Sequence, residues 1–329
     1  MKDHRKIMSS DPFDTLRELA GEPVPADVDT EYVWARLQVA IERETTRSRR
    51  RWLAPVAVAA AIAVAAAAVL LTSRPSPAEA ALGEIAQAAR QTTPEEIPDG
   101  SFVYTRTDQV ALNTSEQGDL LGLPGAIAYL LPSTQQTWRQ GDFEQTTTTV
   151  GTPIFFDPEA EVSYYAHDWD KADRVGETFT EQFTGITNEL SDINWPANPR
   201  ELRNALDDYL RQGTINHSMD IETIELAMNV LHLTNPSPEL RAAILDVIGQ
   251  LPVQLINQSP DGSITLAISY DHPALIEETF TLNPAGYLIA QRQTYPEPAA
   301  KLGIPAGTTV WDATYTVPTI VDSLDTPDQ

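Results

Sequence analysis

Twenty consecutive residues without a charge, Leu53 to Thr72 (LAPVAVAAAIAVAAAAVLLT), constrain this chain more than any other feature. At about 1.5 Å rise per residue, a helix of that length is roughly 30 Å long, the thickness of a bilayer's hydrocarbon core. Half of the run is alanine. Its insertion energy is therefore weaker than that of a leucine-rich span, and a buried helix of a soluble protein is the alternative. Arg47, Arg49, Arg50 and Arg51 stand just before the run and only Arg74 follows closely, which predicts an inside N-terminus. Trp52 falls where an interfacial aromatic anchors a helix, and Leu53, Ile62, Val69 and Leu71 carry the apolar contact with lipid. Ala78-Glu79-Ala80 resembles a signal-peptide cleavage site, so a released ectodomain is the competing expectation. Against it, the apolar run is longer than a signal peptide needs, and a structured-looking segment precedes it.

Charge divides at the same place. The 329 residues hold 22 Lys+Arg against 47 Asp+Glu, a formal charge of −25. Residues 1–51 hold ten basic and ten acidic side chains, so the whole excess lies beyond the span. That argues against a polyanion-binding body for most of the chain, and no direct contact with nucleic acid is expected. The chain has no cysteine, which removes disulfides, thiolate nucleophiles and cysteine metal sites.

In the inside segment, Asp11-Pro12-Phe13-Asp14 opens one short helix, and Val33, Leu37 and Ile41 repeat at helical spacing in a second. Two such helices carry too few apolar residues for a core. Three readings stay open: a mere tether, a helix pair that docks on a cytoplasmic partner through Val33, Leu37 and Ile41, or a helix lying on the bilayer.

Beyond the span, Leu82, Ile85, Ala86 and Ala89 form a helical stripe, and Ser101 to Thr107 alternates as a strand. Gly141-Asp142 joins two threonine- and glutamine-rich strands in a hairpin. The stretch from Leu120 to Leu131 reads as a loop cover or a short helix. Asn198-Pro199, Asp220 and Ser237-Pro238 then open three successive helices, and five strands follow from Val253. The pattern predicts an α+β ectodomain with a curved antiparallel sheet, possible as an open half-barrel, and a block of helices. The expected organisation is a cytoplasmic helical segment 1–51, a transmembrane helix 52–73, a linker and juxtamembrane helix 74–100, an extracytoplasmic domain 101–322 and a tail 323–329.

Chemistry is hard to find. No nucleophile elbow, P-loop, H-E-x-x-H or dinucleotide motif occurs, and the five histidines lack ligand spacing. The densest acidic cluster, Asp168, Asp170, Asp173 and Glu177, fails the EF-hand register, because Phe179 stands where a bidentate acid is needed. The expectation is therefore no catalytic residue, no metal and no cofactor. Trp138, Phe143, Phe155 and Tyr165, with Tyr164 and Trp169, are placed on the early strands. There they could line a pocket for a hydrophobic ligand or simply fill a core.

The order WPANPRELRNALDDYL, SPELRAAILDVIGQLPVQLI, DGSITLAISY, FTLNPAGYLIAQR and AGTTVWDATYTVPTIVDSL, with GSFVYTRT after the span, resembles a family of actinobacterial single-pass membrane proteins that is largely uncharacterised. Its members are often encoded beside extracytoplasmic-function sigma factors. The resemblance implies a cell-membrane protein with a sensing or scaffolding outer domain and an inner segment that touches a sigma factor or another regulator. Without cysteine such contact would be zinc-free. A carrier of lipid or another hydrophobic ligand in the envelope is the alternative.

Overall fold

Ser76 starts the first helix by a reciprocal cap. Its hydroxyl accepts from the Glu79 N–H at 3.0 Å, and the Glu79 carboxylate accepts from the Ser76 N–H at 3.2 Å. The computed structural model describes residues 75–324 except 95, 115–126, 185–189, 191–192, 234, 272–273 and 300–302. The expected span with Trp52, Leu53, Ile62, Val69 and Leu71, the arginine cluster, and Val33, Leu37 and Ile41 lie outside the described residues. Among the described residues no helix is long and apolar enough to cross a membrane.

The helices are α1 (Pro77–Arg90), α2 (Pro158–Ala166), α3 (Trp169–Ala172), α4 (Pro199–Leu210), α5 (Met219–Leu233) and α6 (Pro238–Gly249). The strands are β1 (Phe102–Thr114), β2 (Ala128–Gln140), β3 (Phe143–Val150), β4 (Ile154–Phe155), β5 (Thr178–Thr184), β6 (Gln254–Gln258), β7 (Ile264–Asp271), β8 (Leu275–Leu282), β9 (Leu288–Tyr295), β10 (Thr308–Tyr315) and β11 (Thr319–Val321). They form one antiparallel sheet ordered β5-β3-β2-β1-β10-β9-β8-β7-β6, with β11 on β1 and β4 on β2. The path does not close: β5 and β6 are its free edges. The fold is therefore α+β, an open eleven-stranded antiparallel sheet with helices.

Proline at the first turn after a Ser, Asp or Asn cap starts α1, α2, α4 and α6, which is why their beginnings are legible. Gly141 at φ +58 makes the β2–β3 turn tight enough for Gln140 to face Phe143. Two readings are corrected. Leu130 and Leu131 belong to β2, not to a loop or helix. Tyr164, Tyr165 and Trp169 sit on α2 and α3 rather than on strands, because Asp157 caps Pro158 and accepts from the Ala160 N–H at 2.7 Å.

Alternation gives the sheet two faces. Ile264, Leu266 and Ile268 of β7, Phe280 and Leu282 of β8 and Leu288 of β9 share one face with the inner stripes of α1, α4, α5 and α6 in a single apolar core. α1 is integral to it: Ala78, Leu82, Ile85, Ala86 and Ala89 are buried. The helix within the 74–100 stretch is thus part of the domain's packing.

Candidate functional site

The four aromatics singled out as a pocket lining fall into two places. Trp138 of β2 is buried against Tyr104 of β1, their ring centroids 5.2 Å apart, and Phe143 lies 6.0 Å from Phe102. Phe155 and Tyr165, 6.2 Å apart, join a cluster with Tyr129 and Tyr164 at the other end of β2. Trp138 and Tyr129 stand nine positions apart on one strand, roughly 30 Å, and an odd spacing puts them on opposite faces. No single small pocket holds all four. In the second cluster both Tyr129 and Tyr164 donate to one Asp173 oxygen, at 2.5 and 2.7 Å. Burial first, then the Asp173 charge, raises both phenols above the usual tyrosine range. The acidic run is likewise occupied: Asp168 pairs with Lys171 at 2.6 Å, and Glu177 lies 3.8 Å from Arg174. Among the described residues no group of three or more His, Asp or Glu is arranged to hold a metal ion.

On the sheet face that carries Asp108, Thr134 and Arg292 there is an open groove of about 430 Å³, lined also by Pro132, Asp312 and Thr314. Its charges are internally matched. Arg106 clasps Asp108 through two nitrogens, and Arg292 reaches Asp312 at 2.8 Å. Burial tends to raise the Asp108 carboxyl, but hydrogen bonds from Arg106 and Thr134 outweigh it and hold it below the ordinary range.

The opposite, helix-covered face carries the more unusual chemistry. Glu278 of β8 follows the apolar alternation Ile276, Phe280 and Leu282, and it is fully buried. Three neutral groups donate to it: Tyr270 Oη at 2.9 Å, Gln291 Nε2 at 2.6 Å and Gln293 Nε2 at 3.0 Å. Tyr315 Oη braces Gln291 from behind at 2.9 Å. Glu225, on the stripe of α5 that includes Ile221 and Met228, meets Glu278 and Tyr270. Among the described residues, neither glutamate forms an ion pair with a lysine, arginine or histidine. Burial first, then the Glu278 charge, pushes the Glu225 carboxyl up to about 7, with the Tyr270 bond acting the other way. Burial, Glu278 and Glu225 also raise the Tyr270 phenol. About two turns beyond Glu225 on α5, the His232 ring centroid rests 4.0 Å from that of Tyr315, and burial with nearby Arg139 lowers its pKa to about 4.

Two carboxyl groups facing each other without a cation share one proton most stably. The arrangement can hold and release that proton as the helix and sheet part or close. Sequence reading missed Glu225, Glu278 and Tyr270. The available signal was an acidic residue at an inward position of a cleanly alternating strand. Comparison with family models, with curated proteins and with solved structures returns no match for the chain.

Proposed function

We propose that this chain is a single-pass membrane protein whose domain from residue 75 onward is a non-enzymatic sensing domain outside the membrane. In this reading, residues 1–51 lie inside and contact a sigma factor or another regulator through Val33, Leu37 and Ile41. The observation that carries the reading is the start of α1. In the sequence only four residues stand between the apolar run and its first residue, Pro77, and its inner stripe is locked into the domain core.

The same helix argues for a retained anchor over a released domain. A cut after Ala80 would remove the Ser76 cap, the first turn and the buried Ala78. The carrier reading calls for a largely apolar pocket. The aromatics are divided between two places, and the groove is bordered by Asp108, Asp312 and Arg292. Enzymatic use of the glutamate pair is disfavoured because Glu278 is closed to solvent.

The absence of cysteine makes the test clean. Single variants Ser9→Cys and Asp142→Cys are treated in intact cells with a membrane-impermeant maleimide; Asp142 is exposed in the β2–β3 turn. Labelling of Asp142→Cys alone is expected. Labelling of Ser9→Cys, or protection of Asp142→Cys until lysis, overturns the topology.

A further inference from the structure

Resting on the sensing reading, we infer that the Glu225–Glu278 pair is a proton-operated latch holding α5 on the sheet. The latch is closed when Glu225 carries the proton and loosened when both carboxylates are charged. Glu278 already occupies three donors from β7 and β9, none of them charged. A second negative charge on Glu225 would therefore meet a filled donor set inside an apolar layer. With its proton, Glu225 presents a donor to that layer and the charge count falls to one.

Among the described residues, no lysine or arginine forms an ion pair with Glu225 or Glu278. On α5 itself stand Glu222, which adds to the repulsion, and His232, which burial keeps neutral. The sheet offers the phenols of Tyr270 and Tyr315, and the His217 ring lies tilted against Tyr270, centroids 4.5 Å apart. Arg139 of β2 is committed to Glu144 and to the Leu233 carbonyl. On the other side of α5, Arg203 of α4 joins Asp207 and Asp220, while Arg241 of α6 stacks on Tyr287. α5 and α1 both pack on α6, so loosening α5 disturbs the helix that leads to the span.

The direction follows from linkage. A carboxyl whose folded pKa is raised stabilises the closed form fully below its unfolded value, near 4.5, and loses that contribution as pH rises through about 7. Acid outside therefore closes the latch and neutral to alkaline conditions release it.

Hydrogen exchange of the full chain in detergent micelles, from pH 5.5 to 8.5, tests this after division by the intrinsic rate. In the His232→Gln background, which removes the opposing titration of His232, exchange in Met219–Leu233 should rise about tenfold and stay flat once Glu225→Gln is added. Equal profiles in both proteins overturn the latch. Should Glu225→Gln fail to fold, infrared difference spectra of wild type decide. A protonated-carboxyl band disappearing near pH 7 supports the latch, and one absent at pH 5.5 overturns it. Neither readout depends on topology, so a latch found in a protein labelled at Ser9→Cys would leave the switch standing and the sensing reading refuted.

Discussion

The two halves of the sheet are stabilised by different physics. Strands β6 to β9 alternate apolar and polar residues and lie under α1, α4, α5 and α6, so burial of Ile264, Leu266, Phe280 and Leu282 supplies their stability. Strands β2, β3 and β5 are rich in threonine and glutamine, and their side chains satisfy one another. Thr147 bonds Thr180 at 2.9 Å, Thr149 bonds Thr178 at 2.9 Å, and Gln182 bonds Gln145 at 2.6 Å. Such cross-strand pairs are worth about 0.2–1 kcal/mol each. The contrast locates the weak point of the first half: it is the one where a misplaced charge is costly, and it is where the glutamate pair stands.

The largest expected effect is at the centre of the covered half. Phe280→Ala, at a fully buried position, should lower the unfolding free energy by about 3–5 kcal/mol in denaturant titration. Gly286 comes next. Its φ is +82, and a Cβ there would stand 2.8 Å from Leu245 Cδ1 and 3.5 Å from Arg241 Cδ. Gly286→Ala should cost about 2 kcal/mol by the same measurement, through strain and displacement of the core.

The pH response should also belong to this half. Raising pH from 5 to 8 should remove on the order of 2 kcal/mol of the stabilisation that Glu225 supplies, after allowance for partial solvent screening. Glu225→Gln should remove that contribution. His232 has the opposite sign: its stabilising contribution is present above about 6.5 and is lost as pH falls towards 4. The two windows overlap with opposite slopes, so they largely cancel in wild type; Glu225→Gln should leave stability rising with pH, and His232→Gln should leave it falling. The smallest effect lies in the other half. Thr147→Val should change stability by no more than about 0.5 kcal/mol; a loss as large as that of Phe280→Ala would erase the distinction between the halves.

Legibility in the sequence followed the same division. Capped helices with apolar stripes, such as Asn198 to Leu210 and Ser237 to Gly249, announced themselves, as did β7 to β9 with their glycine turns. The threonine-rich strands were recognisable by composition and turn, but β5 was not, because Glu181 interrupts the face that Phe179 and Phe183 share and the strand is defined by pairing with distant β3. The aromatic cluster was misplaced for a related reason. Asp157-Pro158 converts a β-prone sequence into α2, and a cap outweighs the preference of two tyrosines. The glutamate pair required knowing that β8 faces α5, contacts separated by more than fifty residues, which no local pattern contains.

The central claim is that α1 ties the folded domain to a retained span. Cell fractionation with determination of the N-terminal sequence of the chain tests it most directly. The account predicts a membrane-bound chain that still carries residues 52–90 intact. A soluble chain beginning just after Ala80 would contradict it.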